Sequence, residues 1–163
     1  MYITETVISQ MKIWRALFPL LILTCLRIIS NMDSEQLIVH WVNSAEQDFI
    51  TMNILFDNKR YMHSLFFGHL VIEKLLKGLY AKTHPKAPHA PKSHSLLFLA
   101  DKCNLKVDDK KADILFTITS FNLDSRYEDE KQRFHKQCTK EFTAENVKII
   151  KELREWLKTL IAK

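Results

Sequence analysis

Two glycines in 163 residues leave this chain few places to turn sharply. Prolines are as scarce: there are four, and Pro85, Pro88 and Pro91 crowd into one short stretch. With plentiful Leu, Ile, Lys and Glu, that pattern argues for long helices joined by few connections, and against a sandwich or barrel. The length and a hydrophobic content of 47% suit one domain with a real core. The expected fold class is all-α.

Periodicity places about five helices. From Asp33 to about Asn58, Leu37, Ile38, Trp41, Ala45, Phe49, Met52 and Phe56 recur every three or four positions and form one stripe. Asp33 and Gln36 have the spacing of a capping box. From about Arg60 to Lys82, apolar side chains cover so much of the circumference that this helix must lie centrally. The proline-rich stretch from Thr83 to Lys92 cannot be helical and favours an extended connection. A short helix is expected from Ser93 to Lys102, and another from Asp108 to Asn122. The last is expected to follow Thr143 as N-cap and to run through Val147, Ile150, Leu153, Leu157 and Leu160.

Residues 1–31 read as an extension outside this fold, either an upstream mis-start or a weak anchor, and residues 32–163 as the helical domain. The uncharged run Ala16 to Leu26 is too short for a membrane span of about 17–25 residues, and no small-x-small cleavage site follows it. Cys25, Cys103 and Cys138 are odd in number and far apart, which fits a reducing cytoplasm better than a disulfide framework. The formal charge of +5 falls to +3 without residues 1–31, so any acidic partner must be recognised by local patches.

Three clusters could carry chemistry. His69, Glu73 and Lys77 form a polar line at steps of four, read as an exposed or interface edge or as a group that orients Arg126 across a dimer cleft. His84, His89 and His94 invite a metal reading, but spacings of five through a proline-rich loop are poor ligand geometry. No metal site and no cofactor are expected. The third cluster is NLDSRYEDEKQRFH, Asn122 to His135. Were it helical, Arg126 and Arg133 would share a face, as would Tyr127 and Phe134, so aromatic anchors would hold two guanidiniums beside them. The milder reading is a solvated connector in which acidic neighbours neutralise the arginines. No glycine-rich phosphate loop, GxSxG or nucleotidyltransferase signature is present in the sequence.

The segments VHWVNSAEQDF, YMHSLFFGHLVIEKLLKGLYAK, KSHSLLFLADKCNL and NLDSRYEDEKQ, with a final amphipathic helix ending REWLKTLI, resemble the HEPN domain family over residues 32–163. The resemblance implies an up-and-down helical bundle, a homodimer, and a binding or toxin-type component paired with a minimal nucleotidyltransferase in a toxin–antitoxin module. Active members are metal-independent ribonucleases with an Arg and a His separated by four to six residues. Here eight residues separate Arg126 from His135 and one separates Arg133 from it, a departure that favours binding over cutting. The reading is therefore a nucleotide- or RNA-binding protein, with Arg126, Tyr127, Arg133, Glu73 and Lys77 as contacts. The alternatives are an endoribonuclease using Arg126 and His135, and an interaction-only helical dimer.

Overall fold

The computed structural model describes residues 32–124 and 128–163, with the side chains at 123–131 left out. The N-terminal extension and the arginine–tyrosine pair Arg126 and Tyr127 lie outside the described residues. Those that are described hold six helices and no strand. They are α1 (Ser34–Asp57), α2 (Tyr61–Thr83), α3 (Leu96–Lys102), α4 (Asp109–Asp124), α5 (Glu128–Gln137) and α6 (Lys140–Ala162).

The anticipated capping box opens α1: the Asp33 carboxylate accepts from the Gln36 amide at 2.8 Å, and the Gln36 side chain accepts from the Asp33 amide at 3.1 Å. Lys59, in the left-handed region at φ 59°, turns the chain back into α2. The two helices run antiparallel, with the Ser34 hydroxyl donating to the Ala81 carbonyl at 2.6 Å. As its all-round apolar surface requires, α2 is central and packs against α1, α3, α4 and α6. Leu65, Val71, Ile72, Leu75 and Leu76 are buried there. Gly68 lets α6 approach closely, because a Cβ at that position would come within 2.5 Å of Ile150 Cδ1. At its far end Lys82 donates to the Ile161 carbonyl at 2.6 Å, so α2 and α6 run parallel.

Three boundaries depart from the sequence reading. The third helix begins at Leu96 with Ser95 as N-cap, two residues later than Ser93 suggested, because the chain before it is held elsewhere by His94. The connector after Asn122 contains α5, a helix with too few apolar residues to show a period. Good helix formers and the buried side chain of Phe134 hold it in place. The last helix starts a turn early: Thr139, not Thr143, caps it by accepting from the Phe142 amide at 3.2 Å. The extra turn buries Thr143 completely and brings Phe142 edge-on to Phe121. Thr139→Ala is expected to cost about 1 kcal/mol in chemical denaturation.

Candidate functional site

One polar cluster sits in the flank of α2. His69 and Glu73, one helical turn apart, are 0% and 4% exposed, so the line is not the exposed edge that its spacing suggested. Glu73 is the hub: its Oε1 accepts from Lys77 Nζ at 2.7 Å, while its Oε2 faces His69 Nε2 at 3.0 Å and His94 Nδ1 at 2.8 Å. Burial alone would push the Glu73 carboxyl upward. Hydrogen bonds from His69, Lys77 and His94, with the Lys77 charge, outweigh that and hold it down at about 2. Lys77 also lies over the Trp41 ring, 5.2 Å from its centroid. Glu73 and Lys77 are thus engaged inside the chain, with His94 arriving from the loop ahead of α3. Of the three loop histidines only His94 joins this cluster; His84 stacks on Tyr80 with ring centroids 4.2 Å apart.

A second site forms where α5 meets the start of α2. His135 lines a cavity of about 180 Å³ with Lys59, Arg60, Tyr61, Met62, His63 and Cys138. Four of the seven lining residues carry a positive charge or can take one up. Arg60 stands at the N-cap of α2 and makes no side-chain capping bond, and no acidic residue occupies the first turn. A 23-residue helix therefore turns the positive end of its dipole toward this cavity. The volume lies below the roughly 300–1,000 Å³ of pockets that enclose whole small molecules, and suits a phosphate group.

Phe134 fixes the α5 wall. It is 3% exposed and stacks on Phe121 at 5.6 Å between centroids, which orients the exposed His135 next to it toward the cavity. Arg133, on the same helix, is exposed. Sequence spacing singled out His135 but missed Lys59, Arg60 and His63, which precede it by more than seventy residues. Their only local signal was the run Asn58-Lys59-Arg60 in the first interhelical turn. The two sites are distinct, since ten residues of α2 from His63 to Glu73 span about 15 Å.

No helix among the described residues is long and apolar enough to cross a membrane. Comparison with curated proteins and with solved structures finds no significant match. A family model described as HEPN domain matches residues 38–160, which includes both sites and most of every described helix. The chain therefore belongs to the HEPN domain family.

Proposed function

We propose that this protein binds RNA or a nucleotide through its phosphates, and that the cavity between α2 and α5 receives one of them. Membership of the HEPN family supports a nucleotide- or RNA-related role in broad terms. The observation that carries the finer reading is the convergence of Lys59, Arg60, His63 and His135 on one cavity at an acid-free helix N-terminus. In this reading the protein is the binding component of a two-gene module, acts as a homodimer in the cytoplasm, and has a minimal nucleotidyltransferase as partner. Arg126, Tyr127 and Arg133 extend the contact along the strand.

Binding of a labelled single-stranded RNA, followed by fluorescence anisotropy, tests this. Arg60→Ala and His135→Ala are expected to weaken binding roughly five- to tenfold, the scale of one lost charged phosphate contact. Lys106→Ala, which removes an exposed charge that does not line the cavity, is expected to leave binding unchanged. RNA affinity indifferent to Arg60 and His135 overturns the proposal.

A second reading is endoribonuclease activity by Arg126 and His135. What favours it is the placement of His135 in one cavity with His63, so that a proton acceptor and a proton donor would flank a bound phosphate. Cleavage of cellular RNA in EDTA that disappears in His135→Ala would establish it, and intact RNA at micromolar protein eliminates it.

A further inference from the structure

The hydrogen-bond pattern around Glu73 raises a question of proton placement. His69 Nδ1 lies 3.2 Å from the Ile118 carbonyl oxygen, an acceptor that calls for a proton on Nδ1. Nε2 lies 3.0 Å from the carboxylate oxygen Oε2 of Glu73, a second acceptor, and a neutral imidazole has one proton for the two, so on one side lone pair faces lone pair. Lone pair against lone pair is repulsive unless a cation lies between them, either a second proton on His69 or a metal ion. The same Oε2 faces His94 Nδ1 at 2.8 Å, and the three ligand atoms lie within 4.8 Å of one another. A single metal ion would bind all three atoms at once; without it, His69 needs a second proton and His94 must donate its own Nδ1 proton to the same oxygen.

We propose that His69 Nε2, Glu73 Oε2 and His94 Nδ1 form a binding site for a divalent transition metal, zinc being the ion best suited to two imidazoles and a carboxylate. The surroundings are those of a built site. The Ile118 carbonyl fixes the His69 tautomer, as carbonyls do behind metal-bound histidines. Lys77 holds the other carboxylate oxygen and so orients Oε2 inward, though its charge keeps affinity below that of a site with more anionic ligands. His94 is exposed over 54% of its side chain, so the outer coordination positions face solvent and remain open to water or a phosphate oxygen. Bonds of about 2.0–2.2 Å would set the ligand atoms about 3.3 Å apart in a tetrahedral site; the two imidazole nitrogens, within 4.8 Å of each other, would have to draw together, a movement left to the exposed His94 on its loop. The ion would tie the proline-rich connection to α2. This site does not depend on the phosphate-binding proposal.

The full chain, stripped with a chelator and dialysed, is titrated with Zn²⁺ by calorimetry and with Co²⁺ by visible absorption. One equivalent of each is expected, with a Co²⁺ ligand-field band that marks coordination below six. His94→Ala, at an exposed position that spares the core, is expected to weaken binding more than tenfold and remove the band. The double variant His84→Ala, His89→Ala is expected to bind as wild type. Absence of stoichiometric binding, binding unaffected by His94→Ala, or binding lost in the His84, His89 variant overturns the proposal.

Discussion

Glu73→Gln is expected to lower the unfolding free energy by about 3–5 kcal/mol at neutral pH, and the melting temperature by on the order of 10 °C. The substitution keeps the shape and removes only the charge. It leaves the Lys77 ammonium, 14% exposed, without its carboxylate, and an amide NH2 can face only one of the two sides that the carboxylate serves. Against a total stability of roughly 5–15 kcal/mol, such a loss is large. Acid titration gives a second signature. The Glu73 carboxyl is lowered from 4.5 to about 2 in the folded chain, so its contribution is fully present above 4.5 and is lost as pH falls toward 2. Denaturation curves of wild type and variant should therefore converge over that window by about 3 kcal/mol. A constant gap between pH 5 and pH 2 would show that the carboxylate is not held by its partners.

Phe134→Ala is expected to cost about 3 kcal/mol and to impair RNA binding as well. Large aromatic truncations in a core cost about 3–5 kcal/mol. Here the lower end applies because α5 can detach locally, which limits what the rest of the fold loses. Among the described side chains of residues 132–138, only Phe134 and Cys138 are buried. Loss of the stack on Phe121 frees the helix that presents His135. Hydrogen exchange should show protection lost from α5 while α2 retains it, and Phe134→Leu should restore most of the stability and the binding. Uniform loss of protection across the bundle would contradict a locally anchored α5.

What the sequence made legible follows from where the information is stored. A capping box, an apolar stripe and an all-round apolar helix are local patterns, so α1 and the central position of α2 could be read from Asp33, Gln36 and the leucines of residues 65–79. Helix α5 was only half legible, as partial helicity in a long connector, because its single apolar residue, Phe134, has no period and stacks on a residue thirteen positions earlier. Thr143 was read as the cap of the last helix; in the fold it is buried, and Thr139, four residues earlier, caps the helix instead. The sites were only half visible for the same reason. Glu73 and Lys77 stood out at helical spacing, whereas His94 reaches them from a loop 21 residues away. His135 was noticed with its neighbours in sequence, whereas its cavity partners Lys59, Arg60 and His63 come from the first interhelical turn and the start of α2.

The salt dependence of single-stranded RNA binding, measured for wild type and Arg60→Ala in EDTA, decides whether the cavity between α2 and α5 takes an RNA phosphate. Each phosphate neutralised on a single strand contributes about 0.7 to the slope of log K against log salt. The phosphate-binding account predicts a clear negative slope for wild type, and for Arg60→Ala a weaker affinity with the slope shallower by about that amount. Identical slopes and affinities for the two proteins, or no RNA binding by wild type, would contradict it.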